Sequence, residues 1–263
     1  MEPQLIIIAL ALAALVGVSL GLLGGGGSIL TVPILTYVLG MPPREAIAAS
    51  LFIVGATSAV SMIGHAKAGR VRWKAGLLFG VAGMAGAFAG GILGGLIPGA
   101  ILMVLFAVMM IVTATAMIRG RKNQAAKSSA AEHTPALARI LLDGFLVGIA
   151  TGLVGAGGGF LIVPALNLLG GLPMAIAVGT SLLVITMKSF AGLSGYLFSV
   201  QLNWPIVLAF TATAIAGSFA GVALAGRVPE RALRKGFGIF VLVVGAFVLV
   251  QELPPLFASL TAA

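Results

Sequence analysis

The chain has 263 residues, 60% of them hydrophobic and only 8% charged, and its mean hydropathy is +1.20. A water-soluble domain carries about 25% charge, so the composition describes one membrane-embedded domain over residues 1–263, with no room for a soluble catalytic domain. The net charge of +9 does not call for nucleic acid, because the basic residues sit in short loops between apolar runs, where the positive-inside rule accounts for them; the absence of cysteine excludes disulfides, thiolate chemistry and cysteine-based metal sites.

A spanning helix needs about 20 apolar residues, and the sequence offers a series of such stretches. The first, Leu5–Leu23, follows a start without Lys or Arg and reads as a retained span rather than a cleaved signal. Gly24–Gly27 interrupts it. Ser28–Leu39 is apolar but about 18 Å long if helical, too short to cross squarely. After the turn Gly40–Pro43 come Ala46–Gly64, Ala75–Leu96 and Ala100–Ile118. The polar stretch 119–138 is a linker. Ile140–Val154, the break Gly155–Gly159, the short piece Phe160–Leu169, the turn Gly170–Pro173, Ala175–Phe198, Trp204–Ala225 and Ala232–Val250 then repeat the plan.

The repetition is direct. With a constant shift of 131 and no gap, Gly21–Lys74 overlies Gly152–Pro205, with about a third of positions identical. GLLGGGGSILTVPIL falls on GLVGAGGGFLIVPAL, Pro42 on Pro173, Ser50-Leu51 on Ser181-Leu182, and Trp73 on Trp204. Related halves in a membrane chain suggest a carrier whose site lies where they meet. Equivalent loops carry opposite charge bias. Lys67, Arg70, Arg72 and Lys74 fill one loop while 199–203 is neutral. The loop 94–99 is neutral while its counterpart region holds Arg227, Arg231, Arg234 and Lys235. The bias places equivalent loops on opposite sides. The expected fold is therefore all-α, with two inverted-topology repeats, 1–118 and 139–263. Each has about four spanning helices plus a Gly-rich break and a short half-helix or re-entrant segment. The linker 119–138 is expected in the cytoplasm and both termini outside. All but Arg44 and Lys188 of the 15 basic residues then face the cytoplasm.

Three groups of residues could carry chemistry. The breaks Gly25, Gly26, Gly27, Ser28 and Gly157, Gly158, Gly159, Phe160 each precede a short helix. A half-helix N-terminus offers free N–H groups to an anion, and glycine lets the ligand approach the backbone; the alternative is tight helix packing. No Gly-Lys-Ser/Thr follows, so these are not P-loops. Lys188 lies well inside a span, where a cation is costly and marks a pathway. It pairs with an anionic substrate or with Asp143. Ser50, Thr57 and Ser58 match Ser181, Lys188 and Ser189, with Thr180 beside them; at spacings of three, four and seven they keep one helix face polar. His65 and Asp143 are the proton-relay candidates, with His65 placed near an interface. His and carboxylate residues are too scarce for a metal site, and no cofactor is expected. No Ser/His/Asp set or paired carboxylates support an enzyme.

At these residues the sequence resembles the TauE/SafE sulfite exporter family of membrane permeases, on GLLGGGGSILTVPIL with ASLFIVGATSAVSMIGHAKAGRVRW and on GLVGAGGGFLIVPAL with VGTSLLVITMKSFAGLSGYL. The resemblance implies a secondary transporter that moves a small sulfur-containing anion (sulfite, a sulfonate, sulfoacetate or thiosulfate) across the bacterial inner membrane. An anion channel for small oxyanions is the alternative. The partners implied are the small anionic substrate and the lipid bilayer, without nucleic acid. Small-residue faces permit a homodimer without requiring one.

Overall fold

The computed structural model describes residues 3–25, 27–119, 137–155, 159, 162, 163, 166, 172–225 and 230–261. Among them there are helices and short loops, and no strand. The helices are α1 (Pro3–Leu23), α2 (Ser28–Pro33, running on as a π-helix over Ile34–Val38), α3 (Pro43–Lys67), α4 (Trp73–Leu96), α5 (Gly99–Arg119), α6 (Leu137–Val154), α7 (Met174–Tyr196), α8 (Trp204–Leu224) and α9 (Glu230–Thr261). Within the described residues, α3, α4, α7 and α8 are long and apolar enough to cross a bilayer; Ile7–Leu23, Ser28–Val38, Gly99–Thr115, Gly144–Val154 and Val241–Pro254 are shorter apolar helices.

Gly24 and Gly155, at equivalent positions of the two repeats, both have positive φ (76° and 70°), a conformation that costs an L side chain about 1 kcal/mol or more. The chain turns back at Gly24, so that a Cβ on Gly27 would strike the backbone of Val16 and Leu20 in α1. α2 therefore returns along α1. Pro33 removes one helical N–H, and the following turn widens: Leu39 N donates to Ile34 O at 3.2 Å, five residues back.

Helix packing exchanges partners between repeats. α4 packs on α6 and α7, while α8, its counterpart, packs on α1 and α3. Small residues make both contacts possible. A Cβ on Gly17 would land on Ala214 O and one on Gly221 on Val18 O; on the other side, one on Gly90 would meet Ile149 O and one on Gly152 would meet Ala87 O. In lipid, where burial supplies no drive between helices, such close approach supplies the packing energy.

The same neighbours give helix direction. Gly179 meets His65, Gly55 meets Ser189, and Gly192 meets Leu51, so α3 runs antiparallel to its repeat mate α7. Gly238 meets Ile118 and Gly245 meets Met110, so α5 is likewise antiparallel to α9. α4 runs parallel to α6, and α1 to α8. Arg44 Nε donates to Ile97 O at 2.8 Å, tying the start of α3 to the α4–α5 loop. The helix ends that carry Lys67, Lys74, Arg119, Arg139, Arg231, Arg234 and Lys235 are thereby brought to one end of the molecule. Trp73 and Trp204 are exposed at the starts of α4 and α8.

Equivalent latches close both repeats. His65 Nε2 donates to Gly21 O at 3.0 Å, and Tyr196, its repeat mate, donates to Leu153 O at 2.6 Å. His65 is thus buried against α1, in the last turn of α3. Tyr196→Phe is expected to lower the free energy of unfolding by about 1 kcal/mol, read as a shift in reversible unfolding in mixed micelles; an unchanged midpoint would show that the latch is idle. α9 runs on past Val250 through Pro254 and Pro255. There Tyr37 Oη donates to Glu252 Oε1 at 2.8 Å, and the Tyr37 ring meets Phe247 edge-on, joining the re-entrant segment of repeat one to the last helix of repeat two.

Candidate functional site

The two Gly breaks cross each other. A Cβ on Gly25 would fall on the Gly159 backbone, and one on Gly159 on Gly25 and on Ile185 of α7. Each break is also seated against the other repeat. Gly24 lies beside Ser181 and Val178 of α7, and Gly155 beside Ile47 of α3, where Ser50 Oγ donates to Gly155 O at 2.9 Å. Ser50 and Ser181 are repeat mates, so the arrangement is pseudo-symmetric. Gly26, Gly157, Gly158 and Phe160 lie outside the described residues.

Seven residues along the same helix faces stand Thr57, above Ser50, and Lys188, above Ser181. Both are near the middle of their helices, where the antiparallel pair α3 and α7 crosses. Thr57, Ser58 and Ser189 are completely buried and Lys188 is 1% exposed. The Lys188 stem lies over Gly83 of α4, whose missing side chain makes room for it; a Cβ at Gly83 would sit 2.7 Å from Lys188 Cδ. Among the described residues, Thr57 Oγ1, Ser58 Oγ, Ser189 Oγ and Lys188 Nζ have no hydrogen-bond partner. Such groups cost free energy in a low-dielectric interior until something binds them, so the set is poised to receive a ligand that accepts hydrogen bonds.

The other hydroxyls are already engaged. Ser28 Oγ donates to Gly25 O at 2.6 Å and Ser181 Oγ to Val178 O at 2.7 Å. Thr180 Oγ1 accepts from Arg72 N–H at 3.0 Å, beside the α3–α4 loop, so it stands apart from the crossing. His65 is similarly remote, near Gly21 and Gly179, with Nδ1 free. The side chain of Asp143 lies outside the described residues. No group of His, Asp or Glu suited to a metal ion occurs among the described residues. Two features are not marked as part of a site by the sequence: Gly83, visible there only as one of the small packing residues of α4, and the unpartnered Thr31 and Thr36 hydroxyls on the re-entrant segment.

Comparison with known proteins identifies the family. The family model described as sulfite exporter TauE/SafE matches residues 9–248. The chain belongs to the TauE/SafE sulfite exporter family. A probable membrane transporter protein of Xylella fastidiosa (strain Temecula1) is 36% identical over 256 residues, covering 95% of this chain and 97% of the relative. Another from Methanocaldococcus jannaschii is 30% identical, with 92% and 96% covered, and the Bacillus subtilis protein YunE is 27% identical, with 91% and 95% covered. No solved structure gives a significant match. As a TauE/SafE member the chain is a membrane permease, and its buried polar set lies between α3 and α7.

Proposed function

We propose that the protein is a secondary transporter that moves a small sulfur-containing anion across the bacterial inner membrane by alternating access. The observation that carries this reading is the fully buried, unpartnered ammonium of Lys188 beside unpartnered hydroxyls. A lone cation inside a membrane domain is retained for the anion it meets. The crossed Gly breaks pack beside Ser50 and Ser181, on the helix faces that carry Thr57 and Lys188. The family description supplies the sulfur chemistry.

The two repeats are inverted in this reading. Antiparallel packing of α3 with its mate α7 supports inversion, as does the collection of basic helix ends on one side, which becomes the cytoplasmic face. Both termini are then external. Inversion lets one half rock against the other around a fixed central site, the usual geometry of alternating access.

The test is a thermal-shift panel of purified protein with sulfite, thiosulfate, sulfoacetate, taurine, an aromatic sulfonate, sulfate and chloride, on wild type and Lys188→Ala. A ligand of the native state at 100 times its Kd adds about 2.7 kcal/mol. A sulfur anion should raise the melting temperature of wild type and leave Lys188→Ala unmoved. No shift with any sulfur anion would remove the substrate assignment.

A further inference from the structure

The crossing holds two half-sites that are equivalent in position and unequal in charge. One comprises Gly24, Ser181 and Lys188; the other comprises Gly155, Ser50 and Thr57. They meet at the Gly25–Gly159 contact. Lys188 and Thr57 are exact repeat mates under the shift of 131, both buried, both without a partner. One half-site thus offers an ammonium and the other a hydroxyl.

Among the described residues, the surroundings supply no second cation. The helices packed around Lys188 are α3, α4 and α6. On α3 the charged residues are Arg44, Glu45 and Lys67, all in its terminal turns; on α4 Lys74 stands in the first turn; α6 carries Arg139 and Asp143. Arg44 is occupied by the Ile97 carbonyl. A ligand with one negative charge would be neutralised by Lys188, while a dianion would leave one charge uncompensated inside the membrane domain.

We infer that the site selects a monoanion, with its charged head at Lys188 and its other end at the hydroxyl half-site of Thr57, so that the substrate class is a monosulfonate R–SO3⁻ and doubly charged sulfur anions are discriminated against. The inference rests on the anion-transport reading above. Thr57 is then the specificity-determining position, because a hydroxyl there meets an uncharged substrate end where a lysine would meet a second charge.

The experiment is calorimetric titration of the purified full-length protein at pH 6 with methanesulfonate, methanedisulfonate, thiosulfate and sulfate, all fully ionised there. Wild type should bind methanesulfonate at least about tenfold more tightly than any dianion, the least that an uncompensated intramembrane charge implies. Lys188→Arg should keep this order, and Thr57→Lys should reverse it in favour of methanedisulfonate. Asp143→Asn should leave the order unchanged; a reversed order there would assign the discrimination to the acid and overturn the inference. Wild type binding a dianion as tightly as methanesulfonate would overturn it while leaving the anion transporter intact. If none of the anions binds, the transport reading fails and takes the inference with it. The wild-type ranking decides by itself should Thr57→Lys not fold.

Discussion

Gly25→Ala is expected to abolish transport and to destabilise the protein by about 3 kcal/mol, the upper part of the range for forcing atoms into a packed interior. A Cβ at this position falls on the backbone of Gly159. Backbone cannot swing aside as a flexible side chain does, so the two breaks must separate. Separation would also carry Gly24 away from Ser181 and Gly155 away from Ser50, undoing both half-sites together. Gly159→Ala should behave alike, and the double variant should cost less than the sum, since one displacement relieves both. Gly40→Ala is the control. Gly40 also has positive φ (66°), but nothing lies within 4 Å of its added Cβ, so about 1 kcal/mol of backbone strain is expected with transport unchanged. Uptake into proteoliposomes and unfolding midpoints in detergent measure both quantities. Wild-type uptake by Gly25→Ala would mean that the breaks do not touch in the working protein.

Much of this architecture is written in the repeat. The shift of 131 locates equivalent helices because a duplicated apolar pattern must be buried in equivalent ways; the span expected from Ala75 begins two residues earlier, at Trp73, and the one expected from Trp204 begins there. Pro42 and Pro173 precede α3 and α7 as the turn residues require. What the sequence withholds is partnership. Ser50, Thr57, Ser58 and Ser181 look alike on a helix face, yet Ser50 is committed to the Gly155 carbonyl of the other repeat, Ser181 to its own helix, and Thr57 and Ser58 to nothing. Those assignments depend on helix rotation and on contacts across more than a hundred residues. The Tyr37–Glu252 bond is similarly hidden, and with it the continuation of α9 beyond the polar residues at which an apolar run ends. Gly83 is visible as one of several small residues in α4; that it faces a lysine stem follows only from packing.

Lys188→Met is expected to stabilise the ligand-free protein while reducing transport at least about 100-fold, and the opposite signs separate the two accounts of this lysine. Methionine keeps an unbranched stem over Gly83 and removes a charge that has no partner. Replacing a buried charge by a well-packed apolar group is worth about 1–4 kcal/mol in favourable cases, and each 1 kcal/mol moves the melting temperature of a chain this size by about 2–4 °C. The melting temperature of Lys188→Met without ligand should therefore rise by at least about 2 °C, and the stabilisation by sulfur anions should vanish. If Lys188 served as the structural partner of Asp143, the same substitution would strand a buried carboxylate and cost about 3–5 kcal/mol, lowering the melting temperature by several degrees. A fall in melting temperature would thus assign Lys188 to the scaffold. A rise, with transport lost, would show that the protein holds an unpaired cation at its centre at the expense of its own stability, as a binding site for an anion requires.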